Sequence, residues 1–126
     1  MTPDTLLLRQ IHPNFVQEGR VTSQAFRPTP KDEHRLSVDN GDRMQAKAAW
    51  ARFTSDPACS SVGVMAVSQA ECAAQNLPVI EDGSPYQEHC SIDFSTFEKK
   101  EVERKAKVLS RQAQGRGWLF VACGAA

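Results

Sequence analysis

The sequence has no long apolar run. Its longest, Trp118–Cys123, and the leucine run Leu6–Leu8 both fall far short of the roughly 20 residues needed to cross a bilayer, which excludes a helical membrane span. A secretory leader is not expected either, because Asp4 stands where such a segment is basic and only a three-leucine apolar run follows. A cytoplasmic location is therefore expected. The four cysteines, Cys59, Cys72, Cys90 and Cys123, form no CxxC pair and have no finger spacing to histidine, so no metal site is assigned. In a reducing compartment Cys72, Cys90 and Cys123 read as small core residues. His89 and Cys90 are neighbours, but on a strand adjacent side chains point to opposite faces and cannot easily share an ion. The Walker loop, GxSxG, HExxH and the dinucleotide fingerprint are all missing, which removes the enzyme classes that carry them.

Charge of one sign is also missing locally. Fifteen Lys and Arg balance fifteen Asp and Glu, so net charge gives no argument for nucleic acid or an anionic membrane. Residues 53–96, however, hold six acidic and no basic side chains, whereas residues 97–126 hold seven basic and three acidic ones. This division predicts either an acidic and a basic surface or an internal pairing of the two.

What is present fits one domain over residues 1–126. Thr5–Ile11 reads as a first strand, stopped at His12-Pro13 because proline extends the residue before it and has no N–H for a ladder. Glu18-Gly19-Arg20 turns the chain, Val21–Phe26 alternates as a second strand, and Leu36–Val38 is a short third one ending at Asp39-Asn40-Gly41. The period then changes to helical. Asp42 and Gln45 have capping-box spacing before a helix over Arg43–Thr54, and Ser61–Val67 follows as a buried strand. Ser68 with Glu71 opens a short alanine-rich helix to about Asn76, and Leu77–Ile80 returns as an edge strand. Cys90–Phe94 is another strand, and Ser95 with Glu98 opens the longest helix, whose Val102, Ala106, Leu109 and Ala113 form an apolar seam. Gly115 and Gly117 stop that helix before a last strand over Trp118–Ala122. The element order predicts an α+β fold with a small mixed or mainly antiparallel sheet and about three helices on one face.

Candidate chemistry begins with polar residues that a core pattern would not place. Arg9 lies inside an apolar strand, His12 ends it, and Thr22 and Ser23 fall on the predicted neighbouring strand. A hairpin would bring all four to one end of the sheet. His34 and His89 are the remaining histidines, and paired histidines serve as acid and base in metal-free nucleases. On the last helix Lys100, Arg104, Lys107 and Arg111, with Lys99, Lys105 and Arg116, suit an acidic protein partner. No aromatic residues are interleaved with them to stack on single strands, which makes nucleic acid the lesser expectation.

The string RQIHPNFVQEGRVTSQAFRPTPKDEHRLSV resembles the opening of a family of small, functionally uncharacterised bacterial proteins. In that family a basic, proline-containing first strand precedes a Gly-Arg turn, a Ser or Thr pair, Ala-Phe and Leu-Ser-Val. GVMAVSQAECAAQNLPV, PYQEHCSIDF and the final helix are similar to it as well, so the resemblance covers nearly the whole chain. It implies a bacterial protein and supplies no activity. The order of a basic residue on the first strand and Ser or Thr on the second is also similar to ADP-ribosyltransferases, which would carry NAD binding onto Arg9 or His12 with Thr22 and Ser23. The late-strand Glu motif of that family has its spacing in Glu101 and Glu103, but these fall on the predicted helix.

Two readings follow. The first is a small accessory or protein-interaction module without a cofactor, its partner held by Lys100, Arg104, Lys107 and Arg111. The alternative is a small enzyme acting on a nucleotide or RNA through Arg9, His12, Ser23, His34 or His89, with NAD as cofactor only if it works as an ADP-ribosyltransferase.

Overall fold

The computed structural model describes residues 1–122, so the reading of Cys123 lies outside the described residues. In chain order the elements are β1 (Leu6–Ile11), a short hairpin of β2 (Val16–Gln17) and β3 (Arg20–Val21), β4 (Arg35–Asn40), α1 (Ala46–Thr54), β5 (Gly63–Ser68), α2 (Gln69–Ala74), β6 (Val79–Ile80), β7 (His89–Asp93), α3 (Lys99–Arg116) and β8 (Phe120–Val121). Six strands form one antiparallel sheet in the order β6-β7-β4-β1-β5-β8, and β2 and β3 stand apart as a two-stranded ribbon. The fold is α+β.

Burial explains the order. Every residue of β5 is buried, as expected of a strand covered on both faces. β6 and β8, two residues each, close the sheet edges. β8 approaches β5 closely because position 63 is glycine: a Cβ there would lie 2.4 Å from the Phe120 carbonyl oxygen.

Successive β5 side chains divide the core into two. Met65 and Val67 join Leu7, Ile11, Phe26, Ile92, Phe94 and the α3 seam on one face of the sheet. Val64 and Ala66 join Leu8 and Ala49 on the other, packed by Trp50 and Phe120. Val102, Ala106, Leu109 and Ala113 are all buried, as their spacing predicts. The helices therefore lie on both faces rather than on one: α3 covers the first and α1 the second. The reason lies in Ala49 and Trp50, which pack on the even-numbered residues of β5 while α3 takes the odd ones.

Local signals succeed and fail for identifiable reasons. Ser68 and Glu71 form the expected reciprocal cap of α2, with Ser68 Oγ accepting from Glu71 N at 3.1 Å and Glu71 Oε1 accepting from Ser68 N at 2.7 Å. Asp42 does not cap α1, which starts later with Gln45 as N-cap, because its carboxylate accepts from Thr5 Oγ1 at 2.5 Å. Ser95 does not cap α3, whose N-cap is Glu98. Val21–Phe26 is not a strand: after Val21 the chain makes a 3-10 turn over Ser23–Phe26. Ala25 and Phe26 are both fully buried beneath α3, and two adjacent residues on a strand cannot both point into one face.

Candidate functional site

The second face of the sheet is only half covered. α1 lies over β1, β5 and β8, while the cross-strand row of Leu8, Asp39 and His89 continues past it toward the β7 side. β1 and β4 pair only at Leu7–Asn40 and Leu8–Asp39, and beyond that point the ladder stops. Arg9 bridges the opening: its Nε donates to the Ala25 carbonyl at 2.7 Å and a terminal nitrogen donates to the Ser37 carbonyl at 3.1 Å. A strand carbonyl left without a ladder partner thus gains a charged donor.

Over this opening lies a cleft of about 360 Å³. Its floor includes Leu8, Gln10, Ser37 and Asp39, one wall is Ala49, Arg52 and Phe53 of α1, and His12, Phe15, Pro85, Tyr86 and His89 complete it. Arg52 organises the rim. It donates to Glu88 at 2.9 Å, approaches Asp39 at 3.4 Å and lies 3.8 Å over the Tyr86 ring, so helix, strand and loop meet on one guanidinium. Burial raises the Asp39 pKa against the pull of Arg52, whereas the Arg52 hydrogen bond lowers that of Glu88.

The two histidines of the cleft are held in opposite senses. His89 Nδ1 lies 2.6 Å from Asp82 Oδ1, and Ser91 Oγ donates to Asp82 Oδ2 at 2.6 Å. Burial pushes the Asp82 pKa up, but these hydrogen bonds outweigh it and hold the carboxylate below its ordinary value. A carboxylate accepts only, so neutral His89 carries its proton on Nδ1 and leaves Nε2 as an acceptor. His12 Nδ1 instead accepts from the Asn14 backbone N–H at 3.0 Å, which puts its proton on Nε2 as a donor. Neutral His89 thus offers an Nε2 acceptor and neutral His12 an Nε2–H hydrogen-bond donor.

Gln10 is the exception in an otherwise satisfied site. Both its side-chain nitrogen and oxygen are sealed from solvent and have no hydrogen-bond partner among the described residues. A buried amide without partners costs about 1–3 kcal/mol.

The sequence candidates are distributed unevenly. Arg9, His12 and His89 line this cleft, but Ser23 and Thr22 do not, since they belong to the 3-10 turn and its N-cap. His34 lines a second cleft of about 420 Å³ with Arg27, Pro28, Pro30, Phe97, Lys99, Val102 and Glu103. Lys100, Arg104, Lys107 and Arg111 are exposed on one stripe of α3. They repeat the spacing of the buried seam two residues earlier, a turn of about 200° that sets them on its outer side. Arg104 pairs with Glu101 on the same stretch of helix. Lys105 is buried, with Nζ 2.5 Å from the Gln75 carbonyl and 4.2 Å over the Phe97 ring, and so belongs to the fold rather than to a basic surface. Arg116, although exposed, donates to the Ala66 carbonyl at 2.8 Å and to Glu71 at 3.0 Å.

Cys72 and Cys90 are buried and unpaired, and burial pushes their thiols up to about 12 and about 11, which makes them poor nucleophiles. No group of three or more acidic, histidine or cysteine side chains suited to a metal occurs among the described residues. No described helix is long and apolar enough to cross a membrane. Gln10, Ser37, Arg52, Asp82 and Tyr86 were not foreseen. The only available signals were a glutamine in an apolar strand and an arginine in the last turn of α1. Comparison of the chain with protein-family models, with curated proteins and with solved structures finds no match.

Proposed function

We propose that the protein is a small nucleotide-binding domain whose ligand sits in the cleft between α1 and the β1–β4 opening. The observation that carries the reading is the unsatisfied Gln10 amide in the floor of that cleft. A nucleobase edge presents the adjacent donor and acceptor that a glutamine amide matches. Tyr86, Phe15 and Phe53 supply ring surfaces, and the His12 Nε2–H is a donor suited to a phosphate oxygen. The cleft volume lies in the roughly 300–1,000 Å³ range of small-ligand sites. The family resemblance, with Cys59, Cys72 and Cys90 unpaired, supports a bacterial, cytoplasmic setting for this activity.

Titration of isotope-labelled protein with adenosine and uridine monophosphates tests the proposal by nuclear magnetic resonance. Saturable shifts of the Gln10 side-chain amide and of the His12 and His89 rings are expected. Shifts confined to the surface of α3, or none at millimolar nucleotide, would overturn it.

A second reading rests on a different observation. The exposed stripe of Lys100, Arg104, Lys107 and Arg111 supports docking of an acidic protein partner, with this protein acting as an accessory module. The two readings use opposite faces of the molecule and are separable by mutation.

A further inference from the structure

The second cleft, away from the proposed nucleotide site, brings Arg27 and Lys99 together with His34 and a set of apolar groups. Arg27, His34 and Lys99 share it with Pro28, Pro30, Phe97 and Val102, and Glu103 is its one carboxylate. Arg27 is the telling residue. Its Nε is sealed from solvent and donates to nothing, and no ion pair is made by its guanidinium among the described residues. Two cations of α3 are satisfied: Arg116 by Glu71 and the Ala66 carbonyl, and Lys105 by the Gln75 carbonyl and the Phe97 ring. A guanidinium N–H buried without an acceptor is costly and needs an oxyanion to complete it.

The placement of these groups narrows the ligand. Arg27 follows the buried turn Ser23–Phe26, and Lys99 opens α3, so two elements packed on each other through Phe26 and Val102 hold the cations in place. His34 is held at the cleft by two successive left-handed residues, with φ of 56° at Glu33 and 60° at His34, and its carbonyl accepts from Phe94 N at 3.0 Å. Glu103 on the lining opposes a doubly charged phosphate but tolerates a single negative charge facing Arg27 and Lys99. Phe97, Val102 and the two prolines offer apolar contact to whatever carries that charge.

We propose that this cleft is a binding site for a small carboxylate on an apolar stem, its two oxygens taken by Arg27 and Lys99 and its stem lying along Phe97 and Val102. The Arg27 Nε–H resonance is a direct probe. Titration with octanoate is expected to shift it saturably, whereas octanol and octylamine leave it in place and octyl phosphate binds more weakly than octanoate. Arg27→Gln should weaken octanoate binding about tenfold, the loss of one charge-assisted contact. If that variant fails to fold, Lys99→Gln, an exposed position, is expected to weaken it several-fold, read from the Phe97 ring resonances. No saturable shift at millimolar octanoate, equal binding of octanol, or unchanged affinity in the Lys99 variant would overturn the proposal.

Discussion

The two faces of the central sheet are built by the same alternating strands and finish differently. On one face α3 lays a four-residue apolar seam along the core, Lys105 is buried, Arg116 is tied to the Ala66 carbonyl, and the exposed side of the helix is left with a basic stripe. On the other face the nine-residue α1 covers half the sheet, and what remains is a polar floor with an unsatisfied glutamine. The α3 face is the more fully packed, and unmet hydrogen bonding occurs on both sides: the Gln10 amide on the half-open face, Arg27 Nε and Gln112 Oε1 on the side of α3.

The largest expected effect lies on the closed face. Leu109 is completely buried, and Leu109→Ala should cost about 2–5 kcal/mol in chemical unfolding. Phe53, half-buried on the cleft wall, should lose only about half as much as a fully buried phenylalanine when cut to alanine. Equal costs would mean that the second face is as tightly packed as the first and would break the comparison.

Acid should act next. Glu71, Asp82 and Asp93 all have lowered pKa values in the folded protein, so the stability they contribute is present above their ordinary values of 4.5 and 3.8 and is lost as pH falls below them. Asp39, raised by burial, works in the opposite direction and offsets part of that loss. Unfolding free energy measured from pH 7 to pH 3 should therefore decline below about pH 4.5. Asp82→Asn should make the decline shallower, and a slope unchanged in that variant would remove Asp82 as the brace of His89.

How much of this was legible in the sequence depends on the range of the interaction. The α3 seam and the Ser68–Glu71 cap are local patterns, set by residues within a turn or two of each other, and both appear as their spacing predicts. The cleft is not local. Arg52 meets Asp39 and Glu88, and Asp82 meets His89, only after strands distant in sequence have paired, so no spacing rule marks them. Arg9, His12 and His89 stood out singly because a charged or titratable side chain in an apolar setting is conspicuous. Thr22 and Ser23 misled because alternation across Val21–Phe26 imitates a strand, while burial of both Ala25 and Phe26 favours a turn. The assignment of helices to one face failed because amphipathic period does not say which side of a sheet a helix takes.

The smallest stability effect is expected outside the core. Lys100, Arg104 and Lys107 are exposed, and reversing all three to Glu should change unfolding free energy by less than about 1 kcal/mol, since exposed charges contribute little. Nucleotide binding should be unaffected. Association with an acidic partner that is lost in this variant at an unchanged melting temperature, and that fades with salt in the wild type, would establish the basic stripe as an interface. A fall in melting temperature without loss of association would assign those charges to the fold.

The central claim is that Gln10 serves a ligand at the expense of the fold, and one variant separates the two. Gln10→Met keeps the side-chain volume and removes both unsatisfied polar atoms. Its thermal unfolding and its affinity for adenosine monophosphate should be measured together with those of the wild type. The account predicts a free protein more stable by about 1 kcal/mol and nucleotide binding at least about tenfold weaker. A less stable variant that binds the nucleotide as well as the wild type would contradict it.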